Sequence, residues 1–368
     1  MAGLYIHVPF CARKCGYCDF YSVPLAGGRP AEEYLGALER ECEGLPEGFA
    51  PETVFLGGGT PTVLSAAELD HLFELIARRV NLSRVTEWTC EANPGTLDAE
   101  KIRALRRAGV NRVSLGVQSF DDRVLAFLGR IHTGRQASES FRLLRGEGFD
   151  NVSLDLIFAV PGAPAGALER DLDQAIALNP EHLSVYGLTF EDGTPLARRR
   201  DAGEVRELDE EEQLRQFRVV RDTLKGAGFH HYEISSYARP GRECRHNLLY
   251  WGPGEFLGLG PAAHSHWAGR RWANARRLEE WAAGAPREFE EALDPEARAR
   301  EALVFGLRRL DGVEREKFCQ ETGFDYHALR GGEIAWLVQL GMLEETDNRL
   351  RLTEKGLVVS NAVFAELV

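Results

Sequence analysis

The chain of 368 residues has no apolar run approaching the roughly 18 residues a membrane-spanning helix needs, so a helical membrane protein is not expected. Its first ten residues, Met1 to Phe10, lack the basic region that opens a secretory signal, and the expected compartment is the cytoplasm. Positive charge is in short supply. Lys and Arg number 44 against 57 Asp and Glu, and the net charge of -13 would repel nucleic acid and anionic lipid headgroups. There is no internal repeat, low-complexity tract or long linker. The seven cysteines are too few and too uneven for a disulfide framework. Cys42, Cys90, Cys244 and Cys319 are scattered, whereas the other three crowd into eight positions, a pattern of metal binding in a reducing compartment.

What is present describes a globular protein with tight turns: 44% hydrophobic residues, 27% charged residues and 38 glycines. The length suggests one main domain and a smaller one. Apolar, β-branched runs at Leu4 to Val8, Thr53 to Leu56, Val85 to Glu91, Arg112 to Val117, Val152 to Phe158 and His182 to Leu188 read as buried strands. Helical patterns lie between them near Ala31 to Cys42, Ala66 to Arg79, Asp98 to Arg107, Gly134 to Gly146 and Gly166 to Leu178. Such alternation predicts an α/β fold with a parallel sheet.

Four strands carry a polar residue at or near the C-terminal end, Glu91, Gln118, Asp155 and Thr189. In a barrel those ends converge on one mouth, which favours a partial (β/α)6 barrel over a doubly wound sheet. The barrel is expected over 1–205, with Leu196 to Val205 as its least structured stretch. A middle region follows over 206–290. The last unit, 291–368, pairs helices with a hairpin around Asp347-Asn348 and is expected to be winged-helix-like. With 16 acidic and 10 basic residues from Glu290 on, it reads as a docking or lid unit, not a DNA binder.

Cys11-x3-Cys15-x2-Cys18 directly follows the first strand, where Pro9 and Gly16 can turn the backbone. Thiolates suit iron-sulfur clusters, and a short loop can wrap three corners of a cubane, leaving one iron open to a small molecule. A zinc knuckle with a remote fourth ligand, Cys90 or Cys244, is the alternative. With Tyr17 before the last cysteine, the motif resembles the signature of the radical S-adenosylmethionine (SAM) superfamily. After the second strand comes Gly57-Gly58-Gly59-Thr60-Pro61-Thr62, where glycines allow close approach of a ligand; it lacks the Lys-Ser/Thr pair of a phosphate loop.

The resemblance implies a [4Fe-4S] cluster on Cys11, Cys15 and Cys18, and SAM bound by its amino end at the Gly-rich turn. It implies SAM contacts from Tyr5, Tyr17, Gly58, Gly59, Thr60, Glu91, Gln118, Arg130 and Asp155. A carboxylate there can accept from ribose hydroxyls or an amino group, and a guanidinium can pair with a carboxylate. If the radical chemistry operates, the reduced cluster would pass an electron to the SAM sulfonium and release a 5'-deoxyadenosyl radical.

Within the superfamily the chain resembles the HemW heme chaperones, relatives of the oxygen-independent coproporphyrinogen III dehydrogenase. Leu4 to Cys11 (LYIHVPFC) resembles the start of both groups. Phe20 stands where the dehydrogenase has a fourth cysteine, and, with the first strand starting a few residues in, the amino-terminal extension of that enzyme is not expected. His246-Asn247-Leu248-Leu249-Tyr250-Trp251 resembles the H-N-x-x-Y-W motif tied to heme in the chaperones. The resemblance thus implies heme held through His246, with His264 and His266 as weaker pocket candidates and His7 packed inside the barrel. The function expected is delivery of heme to apo-hemoproteins, with porphyrinogen oxidation as the alternative. Partners expected are heme, a recipient that could be membrane-associated, an electron donor and, as an option, a second copy in a homodimer.

Overall fold

All six expected strands lie side by side in chain order, each adjacent pair parallel: β1 (Ala2–Val8), β2 (Thr53–Gly58), β3 (Glu87–Ala92), β4 (Arg112–Gln118), β5 (Val152–Phe158) and β6 (His182–Gly187). The structure is a computed structural model that describes residues 1–25 and 29–368. Helices Arg29–Cys42, Ala66–Arg79, Ala99–Ala108, Gly134–Gly146 and Ala167–Leu178 fill the crossovers. Local chemistry sets their limits. Ser65 and Glu68 form a reciprocal capping box, as do Thr133 and Gln136, and Gly109 ends the Ala99 helix at a φ of 97°. Side chains alternate across the sheet: Leu4, Ile6 and Val8 sink into the core, while Tyr5 meets Phe55 from β2 on the other face.

The middle region is not a separate unit. Its strands β7 (His230–Glu233) and β8 (Ser236–Ala238) extend the sheet beyond β6, and β9 (Glu255–Leu259) pairs parallel with β1 at the opposite edge. Strands β10 (His264–Trp267), β11 (Arg270–Ala273) and β12 (Phe289–Ala292) then continue antiparallel, giving the order β12-β11-β10-β9-β1-β2-β3-β4-β5-β6-β8-β7. The parallel ladder therefore has seven strands, and the boundary expected at 205/206 does not divide the core. The loop expected over Leu196 to Val205 is also corrected: Pro195–Asp201 is a helix. Thr194 caps it by accepting from the Ala197 amide, Pro195 pre-sets its first turn, and Leu196 and Ala197 are buried, so burial and capping override the basic run.

The last unit has its own core, built on Leu303, Phe318, Tyr326, Ile334 and Leu350. Helices Pro295–Gly306, Arg315–Thr322 and Tyr326–Gln339 pack with a small sheet of β13 (Val313–Glu314), β14 (Leu343–Thr346) and β15 (Arg349–Leu352), the last two forming the expected hairpin. Among the described residues no helix is long and apolar enough to cross a membrane.

Candidate functional site

The three-cysteine loop starts where β1 ends, and its entry is clamped on both sides. The Gly59 and Thr60 amides donate to Val8 O (2.8 Å) and Phe10 O (2.6 Å), while the Val23 and Leu25 amides donate to Pro9 O (2.7 Å) and Cys11 O (3.0 Å). Only glycine fits at 59, because a Cβ there would stand 2.4 Å from Phe10 O. Gly58 has a φ of 101°, and its missing side chain makes room for the His7 ring. His7 is buried as expected, its Nε2 2.9 Å from Tyr21 O. Further along, the Gly16 amide donates to Leu128 O and the Leu196 amide to Gly16 O, tying the loop to two helices.

Cys11, Cys15 and Cys18 are free and half-buried. Cys11 Sγ lies 3.7 Å from Thr60 Oγ1, and Cys15 Sγ accepts from Arg130 Nη1 at 3.2 Å. Burial pushes the Cys18 thiol up to about 11, reinforced by Cys15 and Cys11. A loop that gathers three sulfurs, with burial penalising charge at Cys18, suits positive iron, whose binding would displace thiol protons. Among the described residues no three His, Cys, Asp or Glu side chains converge on a point for a single ion.

Arg130 organises the mouth. One nitrogen reaches Cys15, and Nη2 donates to Asn93 Oδ1 and to Gly116 O (2.7 Å). Asn93 in turn donates to Thr60 Oγ1 at 2.7 Å, and Tyr17 also hydrogen-bonds Arg130, so both glycine and cysteine loops are joined through one guanidinium. Its Nε is buried without a partner. Gly116 permits the crowding, since a Cβ there would fall 2.6 Å from Asn93 Oδ1 and 3.0 Å from Gln118 Nε2. Gln118, at the end of β4, adopts a φ of 67°, a conformation costly for a side-chain-bearing residue and characteristic of functional sites.

Deeper in, Glu91 Oε2 accepts from the Gly58 amide at 3.2 Å. Burial pushes its carboxyl up to about 8, with the charge of Asp155 adding to the effect. Burial also raises Asp155, against hydrogen bonds from Ser184 and Ser114. Two neighbouring buried carboxyls attract a cation or donor-rich ligand, which fits the ammonium and sulfonium of SAM. Tyr5 completes this interior, its hydroxyl 3.1 Å from His7 Nδ1. Thr189 does not join: it is exposed beyond β6, with a single 3.5 Å contact to Gly187 O. Asn93 and Gly116 escaped the sequence reading, although Asn93-Pro94-Gly95 marks the turn after β3.

His246 lies elsewhere. It sits on the short helix Arg245–Tyr250, which plugs the amino ends of the strands. Glu87, first in β3, accepts from the Arg245 and His246 amides (2.9 Å each) and from Cys244 Sγ (3.6 Å). The His246 ring is 0% exposed, with Nδ1 2.8 Å from Thr53 Oγ1 and Nε2 2.8 Å from Tyr250 OH. Burial, with help from Arg112, lowers its pKa to about 3. Neither nitrogen is free for iron unless one of those bonds opens.

Comparison with known families and proteins adds the following. Residues 5–175 match the Radical SAM superfamily, and residues 293–359 match the HemN C-terminal domain. The protein named Heme chaperone HemW from Lactococcus lactis subsp. lactis (strain IL1403) is 36% identical, covering 99% of this chain and 96% of its own. The Bacillus subtilis (strain 168) protein of the same name is 35% identical, with 99% and 98% covered. Among solved structures, the coproporphyrinogen III oxidase HemN from Escherichia coli, described as a radical SAM enzyme, shares the fold. The TM-score is 0.87 over 100% of this chain and 89% of that one, at 21% identity.

Proposed function

The chain belongs to the HemW heme chaperone family, and on that premise we propose that it binds heme and passes it to apo-hemoproteins in the cytoplasm, carrying a SAM-coordinated [4Fe-4S] cluster as its resident group. The end-to-end likeness to the named chaperones, over 99% of the chain, carries the heme half of this reading. The cluster half is supported by the clamped cysteine loop and its link through Arg130 and Asn93 to the Gly-rich turn.

Cys11, Cys15 and Cys18 would hold the cluster, and a bound, reduced cluster supplies one-electron chemistry toward a sulfonium. The protein's own groups position SAM. The backbone at Gly58 and Gly59, held open by the absence of Cβ atoms, would receive the amino end, together with Thr60 and Tyr17. Arg130 would pair with the methionine carboxylate, and Glu91, Gln118, Asp155 and Tyr5 would serve the amino and ribose groups. Heme transfer itself needs no electron, so a donor matters only if the cluster is used. The recipient is an apo-hemoprotein, soluble or membrane-associated.

The deciding experiment loads anaerobically purified protein with heme and follows its transfer to an apo-hemoprotein by absorbance. Transfer is expected with or without added SAM. Absence of heme binding would overturn the reading, and so would stoichiometric conversion of coproporphyrinogen III in the presence of reductant and SAM.

A further inference from the structure

We propose that heme sits in the cavity between β10 and the helix Pro295–Gly306, with His266 as the iron ligand and Arg298 as the partner of a propionate, and that His246 shapes this cavity from behind. The inference rests on the heme reading above and names the place and contacts of the cargo.

The cavity measures about 290 Å³ and lies outside the SAM mouth. On β10 the side chains alternate. Ser265 is buried in the sheet, its Oγ accepting from the Gly258 amide at 2.8 Å, so its neighbours His264 and His266 share the opposite face, and both line the cavity. Nε2 of His266 is screened from solvent and has no hydrogen-bond partner, an arrangement that a metal bond would relieve. Burial, aided by Arg298 and Arg271, holds His266 below its ordinary pKa, in the neutral form that ligates iron.

The walls suit a flat apolar ring. Tyr250 stands edge-on to Phe256 at 4.6 Å, and Phe289 lies 5.7 Å from His264. The two arginines of the lining differ. Arg271 is paired with Glu291 and Glu301, while Arg298, exposed at the rim, makes no ion pair among the described residues. A free guanidinium beside an apolar wall and an unpaired imidazole matches an iron porphyrin, which carries carboxylates at one edge of an apolar plane. The volume is at the low end for ligand sites and leaves part of the macrocycle outside, where a recipient can reach it.

This arrangement accounts for the H-N-x-x-Y-W segment without breaking its buried hydrogen bonds. His246 Nε2 fixes the Tyr250 hydroxyl, so that Tyr250 lines the cavity, and the following Trp251 packs 6.5 Å from Phe305, another wall residue. His246 is thus a positioning residue.

Hemin titration of the anaerobically purified protein tests this, read by Soret position and by affinity. His266→Ala is expected to shift the Soret band and weaken binding at least tenfold, and Arg298→Glu to weaken it severalfold with the band unmoved. Ala302→Trp, which fills the cavity, should block binding while iron-sulfide content stays at the wild-type level. His246→Ala should weaken binding without changing the axial-ligand signature. The site assignment is overturned, with the heme reading intact, if wild-type protein binds heme and His266→Ala and Ala302→Trp bind it identically. It is overturned as well if His246→Ala alone moves the band. If wild-type protein binds no heme, the heme reading itself falls.

Discussion

The two ends of the barrel strands are built from similar residues to opposite effect. At the amino ends Glu87 accepts three hydrogen bonds from the plugging helix, and His246 has both nitrogens engaged. At the carboxyl ends the Glu91 carboxylate accepts a hydrogen bond from the Gly58 amide, Arg130 keeps an unpartnered Nε, and Gln118 sits in a strained conformation. A buried charge surrounded by donors closes a structure. One left short of partners, beside glycines that keep the backbone open, is what a site awaiting a ligand requires.

The largest expected effect is at the mouth: Cys15→Ser should reduce iron and sulfide after anaerobic reconstitution to near background, and a variant with full content would remove the three-thiolate assignment. Gly59→Ala should come next, because its Cβ meets backbone carbonyls that cannot yield; a loss of about 3 kcal/mol is expected in urea unfolding. At the plugged end, His246→Ala strands Thr53 and Tyr250 and should cost about 2 kcal/mol with cluster content unchanged. Cluster loss in that variant would show that the two ends are not independent. Arg130→Lys keeps the charge but cannot span Cys15, Asn93 and Gly116 together, so SAM affinity measured by calorimetry should fall about tenfold.

The smallest effect concerns Glu41, which ties the helix Arg29–Cys42 to the Gly260 amide and Asn274. Burial pushes its carboxyl up to about 7. The folded state therefore holds this proton where the unfolded chain has lost it. The resulting stability is fully present below about pH 4.5 and is lost as pH rises through about 7. Glu41→Gln should flatten the decline in unfolding free energy between pH 5 and 8 by on the order of 1–2 kcal/mol. An unchanged slope would assign the decline to other carboxyls such as Glu91.

Much of this organisation is legible in the sequence where the signal is local. The strand and helix periods, the cysteine spacing and the glycine run report directly on the backbone, because each depends on residues a few positions apart. The polar residues Glu91, Gln118 and Asp155 could be picked out because they interrupt apolar strands. Asn93 could not: its side chain matters only because Thr60 and Arg130, far away in the chain, arrive on either side of it. The helix at Pro195 was hidden by three arginines whose charge says less than the cap before them and the burial of Leu196.

The sequence alone determined the α/β alternation, the three-thiolate loop, the open glycine turn and the likeness to a heme-handling family, all properties of short segments and their chemistry. Tertiary structure alone decided that the middle region completes the barrel sheet by laying β9 beside β1, that His246 closes the amino end of the strands, and that His264 and His266 share a cavity wall. The physical reason is that burial and hydrogen-bond partnership belong to groups brought together by non-local strand pairing. A histidine's spacing names it as a possible ligand, and only its neighbours in space show whether its nitrogens are free.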